Sequence, residues 1–327
     1  MKISVVGYGS IGKQHVENLL SIPNIEIIIC TKQMIINPSP KKIRIVSSIS
    51  DCLKEKPDAG IVANVTNLHV QTAIKLANAG VDLFIEKPLS NSLNGTKNLL
   101  DIIRKKKLIT QMGCQMRFHK CIKKIKELIS SNRVGKILSV KVECGSFLPD
   151  WHPYEDYSKS YAARRDLGGG VVLTCIHEID YLYWMFGSVN EVFSITGKFS
   201  NMKISADDLS ASVIKFKNNV VAELHLDYFQ KSSFRSCKII GTKGMIYWDS
   251  DTNIVKLYDN SKDKWIEILK WSNYDRNLMY KEEMNHFLTC VKKRKSTINP
   301  IQDNGLTTLQ IGLAIIKSSK TKKMVKL

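Results

Sequence analysis

Three short stretches of this chain carry residue types that could do chemistry: GYGSIG at 7–12, EKP at 86–88 and HEID at 177–180. In the first, Gly7, Gly9 and Gly12 follow an apolar run and open a helical pattern. The first glycine of such a run permits a tight turn, the second lets backbone approach a pyrophosphate, and the third lets helix pack on strand. Orphan N–H groups and the helix dipole would then face the phosphates, with Tyr8, Ser10 and Ile11 in the same turn. In this context a dinucleotide is the expected ligand. Lys87, stiffened by Pro88, could exchange a proton with a substrate oxygen while hydride moves to or from a nicotinamide. For that its pKa must fall from about 10.4 towards neutrality. A Glu86 paired with Lys87 would oppose that fall, so the catalytic reading turns Glu86 aside to backbone or neighbours; a surface salt bridge capping a strand is the alternative. His177, Glu178 and Asp180 lie on an amphipathic helix after three glycines, and HEID lacks the second histidine of a zinc-protease helix, so no metal is expected.

These residues need elements to position them. KISVVG, IEIIIC, IRIV, AGIVAN, DLFIE and LITQMG read as strands, and helical patterns begin near Ile11, Ser50, Leu68, Ser92 and Lys120. Such alternation predicts an α/β, doubly wound parallel sheet with right-handed crossovers and a ligand crevice at the carboxyl ends of its strands. Glu86 and Lys87 arrive at that crevice from DLFIE, and Asn64, Thr66 and His69 follow AGIVAN; all five are expected at the cofactor. IEIIIC ends in Cys30, Thr31 and Lys32 in place of the acid that would bind a ribose 2′-hydroxyl, so Thr31 and Lys32 tilt the expected cofactor, NAD(P), slightly towards NADP. Beyond residue 130, strand-like runs alternate apolar with polar residues and are joined by short turns such as GTKG, so a largely antiparallel, open sheet is expected. Helices near 276–294 and 303–319 finish the chain. The expected division is a Rossmann domain over 1–118 and an α+β substrate and oligomerisation domain over 119–327. One sheet face would pack on helices and the other meet a second subunit, as a homodimer or homotetramer; the terminal helix is able to pack back on the first domain.

The formal net charge of the 327 residues is +19. Lysine runs lie on apparent helix faces and at the tail without interleaved aromatics, which favours a solvated surface or a small anionic ligand over nucleic acid. No apolar run approaches the roughly 20 residues of a membrane helix. The N-terminus runs directly into a strand pattern, so a cytoplasmic setting is expected. Eight scattered cysteines form no Cys-x-x-Cys pair, so neither a disulfide framework nor a zinc ribbon is expected.

Taken in order, GYGSIG, EKP, the QMRF of 115–118 and GGG…IHEIDYLYWMFG resemble the Gfo/Idh/MocA oxidoreductase family over nearly the whole chain. The resemblance implies a Rossmann domain, an open-sheet α/β domain, bound NAD(P), and a sugar, cyclitol or nucleotide-sugar substrate. It implies that Lys87 matches the catalytic lysine, commonly followed by a cis proline, and His177 the catalytic histidine. Many members carry an aspartate three or four residues before that histidine; here those positions hold Thr174 and Leu173, and Thr174 brings a hydroxyl without charge. Arg117 of QMRF joins Thr174 and His177 as a candidate substrate contact. The polar and aromatic loop at 146–170 adds Trp151, Tyr161, Arg164 and Arg165, whose rings and guanidinium forks suit an anionic sugar, nucleotide-linked or sialic-acid-like. Alternatively, Arg164 and Arg165 pair with Asp166 to fix the loop. Three functions compete: a sugar dehydrogenase, a glycosidase that holds NAD and returns it unchanged, and a non-catalytic dinucleotide sensor.

Overall fold

The computed structural model describes residues 1–33 and 43–327. They divide into two compact units, Met1–Cys114 with Asn277–Thr307, and Gln115–Arg276 with Thr308–Leu327.

In the first unit, β1 (Lys2–Val6), β2 (Glu26–Cys30), β3 (Ile43–Val46), β4 (Ala59–Val62), β5 (Asp82–Glu86) and β6 (Thr110–Gly113) form a parallel sheet in the order β3-β2-β1-β4-β5-β6. The order reverses between β1 and β4, which is where a doubly wound sheet opens its crevice. Strands covered on both faces read as continuous apolar runs, and Leu83, Phe84 and Ile85 of β5 are fully buried. Each such side chain contributes about 1.5–3 kcal/mol. Phe84 packs edge-on against His15 and Phe287, with centroids 5.2 and 5.6 Å away.

Phe287 belongs to the helix Arg276–Lys293, whose Met284, Phe287, Leu288 and Val291 sit in the same core as Ile3, Val5 and Ile27. Residues 277–307 therefore complete the first unit, whereas the sequence placed them in the second. The expected boundary at 118 falls instead after Cys114. The terminal helix, Leu306–Thr321, runs with the second unit from Thr308, where Gly312 admits the side chains of Val172, Leu173 and Ile176 at close range.

Helix starts follow local chemistry. Ser48 accepts the Asp51 N–H ahead of Ile49–Lys54. The helix expected near Ser92 begins only at Thr96, because Gly95 before it is left-handed at φ +73°. At the head of Lys120–Ser130, His119 accepts the Cys121 N–H inside a cluster of Trp248, Trp271 and Tyr274. Burial there holds the His119 pKa down at about 3.

The second unit is built on β7 (Ile137–Gly145), β8 (Val189–Gly197), β9 (Leu209–Phe216), β10 (Val221–Asp227), β11 (Phe234–Gly241), β12 (Gly244–Asp249), β13 (Ile254–Asp259), β14 (Lys264–Lys270) and β15 (Val325–Lys326). Every pairing is antiparallel except β7 with β10. Alternation sorts the faces: Ile214 and Phe216 of β9 are buried, while Phe193, Ile195 and Val213 stand exposed. Among the described residues no helix is long and apolar enough to cross a membrane.

Candidate cofactor site and catalytic residues

The glycine turn joins β1 to the helix Ser10–Leu20. Gly7 has φ +100°, and a Cβ there would stand 2.5 Å from the Asn64 nitrogen, so the first turn and the end of β4 meet backbone to backbone. A Cβ on Gly12 would lie 2.2 Å from the Gly7 carbonyl oxygen, so only glycine lets the helix come this near its strand. Gly9 differs: its backbone is extended, and a Cβ would find nothing within 4 Å. The turn thus fits a pyrophosphate, with open space where backbone must approach phosphate and contact where it must not. Ser10 is exposed at the helix start; Tyr8 and Ile11 pack on the core, and Lys13 Nζ lies 5.8 Å from the Tyr8 ring. At the end of β2, the Thr31 hydroxyl accepts the Gln33 N–H, and Lys32 is exposed.

At the end of β5, two strands along the sheet from β1, the Lys87–Pro88 peptide is cis. Buried His69 braces it: Nδ1 lies 2.8 Å from the Pro88 carbonyl oxygen and Nε2 2.9 Å from that of Asn64. Desolvation pushes the His69 pKa below its ordinary value. Both ring nitrogens therefore face backbone, and His69 positions the strand ends, where the sequence had placed it on the cofactor. Asn64 donates through its side chain to Thr72, and Thr66 is buried in the short turn after β4. The Glu86 carboxylate is also engaged inward. Its Oε1 sits 2.7 Å from His15 Nε2, both side chains being buried, and its Oε2 accepts the Lys87 backbone N–H at 3.3 Å. The catalytic reading expected Glu86 to turn to backbone and neighbours, and it does. His15 was missed; it is one of two polar residues, with Asn18, on the face of an amphipathic helix that Val16 and Leu19 bury.

In the second unit, Gly170 precedes a single helical turn, Val171–Thr174, and the chain breaks at Cys175 before a new helix, His177–Phe186. His177 opens that helix and is buried. Two arginines anchor its first turns. Arg117, buried like its partner, grips Asp180 with Nε and Nη2, each at 2.8 Å. Arg235 Nε lies 2.7 Å from Glu178 Oε1. Arg117 was expected on substrate; engaged with Asp180 inside the unit, it positions the histidine's helix instead. Thr174 is buried, and so is Tyr228, whose pKa burial raises well above the ordinary value. Trp151 donates to Ser146 Oγ and packs edge-on against Tyr228, and Tyr161 opens the short turn Tyr161–Ala163. Arg164 pairs through Nε and Nη2 with Asp166, the loop-fixing alternative, whereas exposed Arg165 gives its backbone N–H to Ser205. Structure therefore brings Trp151 to Tyr228, while Arg117 and Arg164 are engaged with Asp180 and Asp166.

Family models match both parts of the chain: "Oxidoreductase family, NAD-binding Rossmann fold" over residues 1–114 and "GFO/IDH/MocA C-terminal domain" over 122–247. The chain belongs to the Gfo/Idh/MocA oxidoreductase family. Among its relatives, the myo-inositol 2-dehydrogenase of Thermotoga maritima is 28% identical over 343 residues, spanning 100% of this chain and 98% of that protein. The 2,7-anhydro-N-acetylneuraminate hydratase of Mediterraneibacter gnavus is 28% identical over 200 residues, 60% of this chain and 52% of that one. A levoglucosan dehydrogenase solved with NADH shares the fold at 16% identity, with a TM-score of 0.87 and coverage of 100% and 98%. The model matched over residues 1–114 is an NAD-binding Rossmann fold, and the inositol dehydrogenases among the relatives are oxidoreductases acting on CH–OH groups.

Proposed function

We propose that this protein is an NAD(P)-dependent dehydrogenase of a cyclitol or sugar, with Lys87 and His177 as its acid–base residues. The observation that carries this reading is the His69 brace. It ties Pro88 to Asn64, which itself lies against Gly7, and so fixes Lys87 two strands along the sheet from the phosphate turn. A bound dinucleotide supplies a carbon that accepts or gives hydride. The chain's residues do the rest: the turn's N–H groups hold phosphate, Lys87 exchanges the proton of the reacting hydroxyl, and His177 serves the same exchange. Trp151 and Tyr161 offer ring faces for a sugar, and Thr174 a neutral hydroxyl partner. The full-length similarity to an inositol dehydrogenase supports a cyclitol. An anionic, sialic-acid-like substrate is supported by the hydratase relative and by Arg165, with Arg164 already committed to Asp166. Thr31 and Lys32, without an acid beside them, support NADP over NAD. The apolar exposed sheet face of Phe193, Ile195 and Val213 supports a homo-oligomer, and the eight free cysteines support a cytoplasmic setting.

A second reading, in which the dinucleotide returns unchanged after each turnover, draws on the same hydratase relative. The two separate in one assay. Purified chain is offered cyclitols, neutral sugars, sialic-type acids and nucleotide-sugars with NAD or NADP. The dehydrogenase reading expects reduced cofactor to accumulate in proportion to substrate consumed, faster with NADP. Substrate loss at constant cofactor establishes the second reading, and equal rates with both cofactors remove the role given to Thr31 and Lys32.

A further inference from the structure

Beside Lys87 lies a buried pair of titratable side chains to which the proton exchange assigns no part. Glu86 is 5% exposed and His15 0%, and His15 Nε2 stands 2.7 Å from Glu86 Oε1. An ionised carboxylate only accepts, so Nε2 is the donor. The other oxygen, Oε2, accepts the Lys87 backbone N–H at 3.3 Å. Neighbouring elements are shaped around this pair. Opposite Glu86 on β6, a Cβ at Gly113 would stand 2.9 Å from Oε1, so the bare glycine leaves room for the carboxylate. The His15 ring sits edge-on to Phe84 of the same strand and to Tyr280 of the helix Arg276–Lys293, at 5.2 and 6.5 Å. Packing alone calls for no carboxylate here, because burying one is costly unless hydrogen bonds offset it. What Glu86 brings is a negative charge one residue from Lys87, the sign that holds an ammonium protonated.

We propose that His15 is a positioning residue for the proton exchange: by binding the Glu86 carboxylate it anchors that charge in the interior and keeps it from pairing with the Lys87 ammonium. The inference rests on the reading of Lys87 as an acid–base residue. The titratable groups around Glu86 include His15 and Tyr280, Lys87 next in the chain, and His69 on the Pro88 carbonyl. His15 bonds the carboxylate through its side chain and Lys87 through its backbone N–H, whereas both His69 nitrogens face backbone carbonyl oxygens. His15 stands three residues beyond Gly12, on the helix that opens at the glycine turn, so one helix serves both that turn and Lys87. Without the donor at position 15, the carboxylate loses its interior partner and turns to the ammonium one residue away. Lys87 then holds its proton to higher pH and has less free amine to take one from a hydroxyl.

The titration of Lys87 is read without substrate, so a failure here is told apart from a failure of the dehydrogenase reading, which the cofactor screen decides. Full-length protein is labelled with trace acetic anhydride from pH about 6 to about 11, a range that spans the ordinary lysine value of about 10.4, and acetylation at Lys87 is measured by peptide mass. His15→Phe keeps a ring beside Phe84 and Tyr280 but offers no donor, and should raise the midpoint of Lys87 labelling by at least about 0.5 pH unit. His15→Gln supplies an N–H in place of Nε2 and should hold the midpoint within about 0.2 unit of wild type. Glu86→Gln removes the charge, and should move the midpoint by less than about 0.5 unit; because it buries no carboxylate, it serves as the check if His15→Phe does not fold. A smaller rise in folded His15→Phe, or a His15→Gln midpoint raised as far, overturns the role given to the His15 donor. A Glu86→Gln midpoint that falls by more than about 0.5 unit also overturns it, since the wild-type charge would already lie on Lys87. With a substrate in hand, His15→Phe should lower kcat about threefold or more below the Lys87 midpoint, with the loss closing at higher pH; a loss equal at every pH shows a merely structural effect and overturns the proposal.

Discussion

Gly9→Ala separates folding from cofactor binding. Gly9 has φ −75° and ψ −168°, a conformation alanine adopts freely, and its added methyl would meet nothing within 4 Å. In the unliganded chain the substitution should therefore stabilise by about 0.4–1 kcal/mol, through a less flexible unfolded state. The same methyl occupies the space through which backbone approaches pyrophosphate. Losing one charge-assisted N–H to phosphate bond costs about 1.5–3 kcal/mol, which weakens NADH and NADPH binding about 10- to 150-fold. Gly12→Ala is the contrast: its methyl would stand 2.2 Å from the Gly7 carbonyl oxygen, so the turn must open and the fold itself loses about 1–3 kcal/mol. Denaturant unfolding without cofactor and calorimetric titration with NADH and NADPH read the two effects separately. A stable Gly9→Ala protein that binds both within about threefold of wild type, under ~0.7 kcal/mol, would refute the placement of pyrophosphate at this turn.

Lys87→Ala should lower turnover at least about 100-fold, as loss of acid–base help does, with NADH affinity within about threefold; an effect on turnover under threefold removes Lys87 from the proton path. Arg117→Met should cost about 3–5 kcal/mol in denaturant unfolding, because it strands the Asp180 carboxylate in the interior, and adding Asp180→Leu should recover most of the loss; no recovery would mean the pair is not the source. His119 gives a pH test. Its folded pKa, about 3, lies below the unfolded 6.5, so between them the unfolded chain binds the extra proton. Its contribution is full above about 6.5 and drains as pH falls, at about 1.4 kcal/mol per unit. From pH about 6.5 to about 4.5 wild type should lose about 2–3 kcal/mol more than His119→Asn, which keeps a capping oxygen without titrating; parallel curves would show that His119 protonates freely.

Features set by near neighbours in sequence were legible before the structure. The spacing of Gly7, Gly9 and Gly12 behind an apolar strand encodes a turn whose steric needs are local, and DLFIE followed by a lysine and proline encodes a strand end. Illegible were the partners brought in from a distance. Asp180 takes Arg117 from 63 positions away, and nothing in QMRF says that its arginine faces inward. Phe287 fills the space beside Phe84 although some two hundred residues separate them, so a division drawn by rhythm alone misassigned 277–307. β15 escaped because two paired residues, Val325 and Lys326, make no pattern. The contact of Arg235 with Cys144 escaped because cross-strand register, which sets the two side by side, is absent from either strand's own sequence.

Hydride transfer from a substrate carbinol carbon to the nicotinamide, with Lys87 managing the proton, can be followed by isotope. A substrate found in the cofactor screen is prepared with deuterium at the reacting carbon, turned over, and the reduced cofactor recovered for mass analysis. The account predicts one deuterium per reduced cofactor and one reduced cofactor per substrate consumed, both lost together in Lys87→Ala. Deuterium recovered in product or water, with the cofactor unchanged in amount and isotope, would contradict it.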